Sequence, residues 1–173
     1  MGRTAPIWRE CLSALDIESA TLLWQSTIDP FRRVYAANGC IYKVVALQHE
    51  ITGNLRAQNL AGESAILRHC GGITGVPSVI AYHKSDEFEV LVLERLPGEL
   101  LDKLDVSWPR LLVNLTKLAA ILLNLSWRGI SHNDVVSRNI LVSPEGSVSL
   151  IDFDQATRTS FIVAIIRQFT GFN

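Results

Sequence analysis

Cysteine is scarce in this chain. Cys11, Cys40 and Cys70 are the only three, too far apart to form a metal-binding pair and odd in number for a disulfide framework. That argues against a small secreted scaffold and suits a reducing compartment. Charge of one sign is also lacking. Sixteen Lys and Arg against 17 Asp and Glu leave a net charge of −1, so composition offers no basic surface for nucleic acid. No apolar run approaches the roughly 20 residues that cross a bilayer, so no transmembrane segment is expected. The residues before Pro6 contain no apolar stretch of the signal-peptide kind. Pro6 also stands where a myristoylation signal needs Ser or Thr.

What is present is apolar and patterned. Hydrophobic residues make up 48% of 173 positions, enough for one good-sized core or two small lobes. Residues 1–20 read as an N-terminal extension, where Trp8, Leu12 and Leu15 have helical spacing. Residues 21–24, 32–37 and 40–47 read as strands. Asn38-Gly39 between the last two is a strong hairpin signal, because both turn positions must take positive φ. Lys43 interrupts the second arm; it is either an edge lysine facing solvent or a half-buried cation that needs an anion. Residues 55–69 read as a helix stopped by Gly71-Gly72, with Glu63 either facing solvent or available to a cation such as Lys43. Strands are predicted over 76–82 and 88–93, with a polar turn at 84–87. Pro97-Gly98 then breaks regular structure, and composition shifts from strand-like to helix-like.

Residues 108–127 carry the clearest helical period, with Ser107 as candidate cap and Pro109 in the first turn. Apolar residues extend beyond one stripe, which predicts burial on most sides. Two glycosylation-like triplets, at Asn114 and Asn124, fall inside this helix and are read as chance. A loop and a hairpin over 140–151 follow. The apolar stretch 161–169 suits a terminal helix over the core, or a patch facing a membrane or partner.

The most informative residues lie between His132 and Asp154. Asp134, Asn139 and Asp152 are oxygen-bearing side chains set among strand-like apolar residues. Such donors suit Mg²⁺ held against phosphate oxygens. Taken singly, each would serve as a turn or capping residue.

Together with Lys43, Glu63 and the break at residues 94–98, the pattern His132-x-Asp134-x₄-Asn139 and Asp152-Phe153-Asp154 resembles the eukaryotic-like protein kinase superfamily. The likeness is to its small atypical branches: RIO-like, lipopolysaccharide-kinase-like and minimal effector kinases. It covers about residues 21–157. It implies an α+β bilobal fold, with a five-stranded sheet and one helix in an N-lobe over 21–96. A truncated, mainly helical C-lobe would occupy 97–173. It also implies a phosphotransferase that uses ATP and Mg²⁺ or Mn²⁺. Lys43 would hold the α- and β-phosphates and pair with Glu63. Glu94 and Leu96 would bind adenine through their main chains, with Leu93 as gatekeeper. Asp134 would orient the acceptor hydroxyl, and Asn139 and Asp152 would ligate the metal.

The pattern departs from the family at several points. No glycine lies between the first two strands, which leaves Ser26 and Thr27 to donate to phosphate. Val136 replaces the catalytic-loop lysine, with Arg138 able to reach the same phosphate. Asn133 replaces the loop arginine, which argues against control by a phosphorylated activation loop. Asp154 replaces a glycine and would either face the metal or cap a turn. The chain ends at Asn173, so the usual activation segment and later helices are expected to be missing. The acceptor is expected to be a protein Ser/Thr hydroxyl, or alternatively a sugar or other small-molecule hydroxyl; a catalytically dead binding module is the remaining alternative. The expected compartment is cytoplasmic, or a host cytosol for a delivered effector. The sequence leaves the oligomeric state open.

Overall fold

The computed structural model describes Ser13 and residues 19–27, 32–47 and 60–170, the side chains of Phe169 and Thr170 excepted. The N-terminal helical spacing around Trp8 and the positions between Thr27 and Arg32 lie outside these residues. The chain divides into two compact units, one comprising Met1–Ala61 and Val79–Arg95, the other Gly62–Ser78 and Leu96–Asn173.

The first unit is built on one antiparallel sheet. Its strands are β1 (Thr21–Gln25), β2 (Arg32–Ala37), β3 (Cys40–Ala46), β4 (Val79–Lys84) and β5 (Phe88–Glu94), in the order β1-β2-β3-β5-β4. Asn38 and Gly39 turn the β2–β3 hairpin with φ of 50° and 73°, as the Asn-Gly dipeptide predicts. β4 starts and ends later than expected, and Lys84, placed in the turn from sequence, is its last residue. The reason is pairing: Lys84 lies opposite Glu89, and its ammonium donates to that carboxylate at 2.6 Å. Alternation along the central strands gives the sheet two apolar faces. Tyr35, Val44, Ala46, Val90 and Val92 form one core cluster. Lys43 lies opposite Leu91, between Ile41–Leu93 and Val45–Glu89 pairs, and therefore points to the other face.

The second unit takes most of α1 (Leu60–His69) and is otherwise helices and short strands. They are β6 (Glu99–Leu100), α2 (Trp108–Trp127), β7 (Ile130–Ser131), β8 (Ile140–Val142), β9 (Val148–Leu150), β10 (Thr157–Arg158) and α3 (Phe161–Thr170). Residues 55–59 of the predicted first helix lie outside the described residues; its end at His69 is as expected. β6, β8 and β9 form one small sheet, and β7 and β10 another. β6, β7 and β10 have only two residues each, too short to leave a periodic trace. α2 runs over the predicted residues, although Ser107 caps it without a side-chain hydrogen bond.

The burial expected of α2 is corrected. It buries a single face of Asn114, Leu118, Ile121, Leu122, Leu125 and Ser126, packed against α3, β7 and β9. Leu112, Val113, Leu115 and Leu123 are exposed. Apolar character all round a helix reports what could be buried, and the elements packed here cover only one side. The Gln168 amide fastens α3 to α2, donating to Leu122 O at 3.0 Å and to Ser126 Oγ.

Candidate functional site

The second unit places the His132–Asp154 residues around two adjacent loops. The first leaves β7 at Ser131 and passes through a 3₁₀ turn at Ser137–Asn139 into β8. The second leaves β9 at Leu150. A main-chain bond from Ile151 N to Asn139 O, 2.9 Å, joins them.

His132 is fully buried and ties both loops together. Its Nε2 lies 3.1 Å from Ile151 O, while Asp134 N donates to Nδ1 at 3.3 Å. One ring nitrogen must donate and the other accept, which describes the neutral imidazole protonated at Nε2. The ring also stands edge-on to Phe153, with centroids 4.6 Å apart. Phe153 is itself buried, and its amide donates to Glu63 Oε1 at 3.2 Å. Glu63 thus anchors the segment that begins at Asp152.

Asp134, Arg138 and Asn139 meet as one cluster. Asn139 is 4% exposed. Its Nδ2 donates to Asp134 O at 2.9 Å and to Asp134 Oδ2 at 2.8 Å. The same carboxylate accepts from Arg138 Nη2 at 3.3 and 3.2 Å on its two oxygens. Arg138 is largely exposed and Asp134 partly so, so the arginine can leave while the buried amide stays. With Nδ2 engaged twice, the amide oxygen is the atom Asn139 has left for a cation.

Two backbone conformations shape the loops. Asn133 and Asp152 take φ of 63° and 65°, a left-handed region that Asn and Asp tolerate better than most residues. Asn133 accepts from Ser131 Oγ at 2.6 Å and donates to Gln155 O and Thr157 Oγ1 at 2.9 and 3.0 Å. It holds the segment after Asp154 against the first loop. Asp154 opens a turn closed by Ala156 N to Phe153 O, 3.1 Å.

The remaining predicted residues are placed separately. Lys43 and Glu94 lie in the first unit, on β3 and at the end of β5. Ser26 follows β1, its amide bonded to Arg32 O at 3.2 Å; Thr27 beside it is exposed, and Leu96 lies just past β5 in the second unit. Among the described residues, no group of three or more His, Cys, Asp or Glu side chains is arranged to hold a metal. The side chains expected from sequence to bind metal, Asn139, Asp152 and Asp154, lie on the two loops joined by the Ile151–Asn139 main-chain bond. Their oxygens are of the hard type that Mg²⁺ takes together with water and phosphate. Sequence reasoning missed the Glu63–Phe153 and Asn133–Thr157 ties. The first involves a main-chain donor and the second an ordinary polar pair, neither of which carries a sequence signal.

Comparison with known proteins adds the fold. No protein-family model matches the chain, and no curated protein does. Solved structures of WbdD are similar. One, described as a complex with a kinase inhibitor, aligns with a TM-score of 0.65 at 24% identity, over 84% of this chain and 35% of the other. A second aligns with a TM-score of 0.66 at 24% identity, over 85% and 35%. A third, described as a bifunctional kinase-methyltransferase, aligns at 0.57 and 24% identity, over 77% and 31%. The fold is kinase-like. The α+β class and the five-stranded sheet expected from sequence are borne out. The kinase-like chain spans about a third of the length of the WbdD structures it matches. Among the described residues, no helix is long and apolar enough to cross a membrane.

Proposed function

We propose that the chain is the phosphotransferase part of an atypical kinase, moving the γ-phosphate of ATP to a hydroxyl with Mg²⁺ or Mn²⁺. The observation that carries this reading is the Asp134–Arg138–Asn139 cluster. A buried amide clamps a carboxylate whose second contact is a largely exposed guanidinium. Phosphoryl transfer asks the protein mainly for position and charge, and the cluster is suited to supply both. Asp134 orients the acceptor hydroxyl and takes its proton, with Asn139 fixing the carboxylate. Arg138 moves from Asp134 to the transferring phosphate. The Asn139 amide oxygen and the Asp152 and Asp154 carboxylates hold the metal, which when bound neutralises phosphate charge. Lys43, on the face of β3 opposite the Tyr35–Val92 cluster, serves the α- and β-phosphates, with Ser26 and Thr27 covering them. Main-chain groups of Glu94 and Leu96 take adenine. The solved structures described as a kinase and as an inhibitor complex support the same class of chemistry.

Protein Ser/Thr is taken as the first acceptor and a sugar or other small-molecule hydroxyl as the second. Incubation with labelled ATP, Mg²⁺ or Mn²⁺ and a panel of both acceptor types tests the proposal. Transfer that disappears in Asp134→Ala supports it; transfer no greater than in that variant sinks it. A second reading, a binding module without transfer, is favoured by the occupation of both Asp134 oxygens by Arg138. ATP with Mg²⁺ should raise the melting temperature of a nucleotide-binding chain by linkage. An unchanged value would favour the module.

A further inference from the structure

α2 carries a second apolar stripe alongside its buried face, centred about 120° around the helix axis from it. Trp108 and Trp127 are each 78% exposed, and Leu112, Leu115 and Leu123 are 60%, 45% and 49% exposed. At about 100° per residue these five project to one side, with Thr116, Ala119 and Ala120 between them. The helix has only two charged residues, Arg110 and Lys117, and both project away from the stripe. Lys117 is turned back to donate to Gly146 O at 2.6 Å. The one hydroxyl on the stripe, Thr116 Oγ1, already donates to Val113 O at 2.7 Å, so burial would not orphan it.

The stripe reads nearly the same in both directions. Turning the helix end for end about its midpoint sets Trp108 over Trp127, Leu112 over Leu123, Leu115 over Ala120 and Thr116 over Ala119. An interface around a twofold axis needs this property, since residue i must meet j while j meets i. Large residues at the ends and small ones at the centre let two helices approach closely in the middle. The five large side chains expose about 600 Å² per copy, at the upper end for a monomer's largest patch and close to the ~800 Å² per partner of a standard interface. Phe161, partly exposed and edge-on to Trp127 with centroids 5.1 Å apart, extends the same patch.

The geometry points to a second copy of this chain as the occupant, with the α2 helices antiparallel and Leu112 opposite Leu123 of the other copy. No charge on the stripe opposes that pairing.

Sedimentation of the purified 173-residue chain across micromolar concentrations tests it. The wild type should sediment as a dimer, and Leu112→Glu should weaken self-association at least about 100-fold. Because position 112 faces position 123 of the other copy, Leu112→Glu with Leu123→Lys should restore the dimer. Leu112→Glu with Leu123→Glu should not. Both positions are exposed, so melting of the monomeric variants at low concentration should match that of diluted wild type. A wild type that stays monomeric overturns the proposal and leaves the stripe to a different polypeptide. A dimer that ignores Leu112→Glu, or a charge pair that fails to restore it, overturns it as well.

Discussion

Asn139 offers the sharpest test of how the site is held. Asn139→Ala removes two hydrogen bonds made by one buried amide, to Asp134 O and to Asp134 Oδ2. A neutral bond of this kind contributes about 1 kcal/mol and one to a charged group about 1.5–3 kcal/mol. Water can partly replace the amide at Asp134, whose side chain is 26% exposed, which favours the lower end. The expected loss is therefore about 2–3 kcal/mol, or about 4–12 °C in melting temperature for a domain of this size. Urea titration with an unchanged m-value would read it directly. A cycle with Asp134→Ala should return a coupling of about 1–2 kcal/mol, since most of the loss belongs to that pair. Asn139→Asp separates charge from shape. It sets two carboxylates within hydrogen-bonding distance, so one should bind a proton far more readily than usual. A group whose folded-state affinity for protons is raised stabilises at low pH and loses that contribution as pH rises. Asn139→Asp should therefore regain stability on going from pH 7 to pH 5, while Asn139→Ala should not. A loss under about 0.5 kcal/mol for Asn139→Ala, within the range of an inconsequential surface change, would refute the clamp.

Four further outcomes are expected. Asp152→Asn keeps a residue that tolerates φ of 65°, so melting should hold while transfer falls on the order of 10²–10³-fold or more in a coupled assay. His132→Ala should cost about 3–4 kcal/mol in urea, because it empties a fully buried ring site beside Phe153 and removes the bonds to Ile151 O and Asp134 N. Gly75→Ala should destabilise by about 2–4 kcal/mol: its Cβ would lie 2.7 Å from Val148 O at φ of +85°. Burial pushes the Cys70 thiol up to about 11, so iodoacetamide at pH 8 should modify half-buried Cys40 and leave Cys70 intact until the chain unfolds, as peptide mapping would show.

Local rules made much of the kinase-like fold legible. Alternation and the Asn38-Gly39 turn placed β2 and β3, and a long 3.6-residue period placed α2 from Trp108 to Trp127, because these elements are specified by neighbours a few residues apart. Asp134, Arg138 and Asn139 could each be singled out from sequence because one short loop and a 3₁₀ turn carry all three. The contact of Arg138 with Asp134 could not, since Arg138 was expected at a phosphate. What the sequence by itself determined is this set of local elements and polar groups. Only the tertiary structure decided which groups act on one another across the chain. It set Phe153 N on Glu63, tied Asn133 to Thr157, and split the apolar surface of α2 into a buried face and an exposed stripe. A main-chain donor has no residue identity to read, and a period shows that a helix can bury a face without naming what will cover it. Those answers come from packing between distant segments, which composition and spacing do not encode.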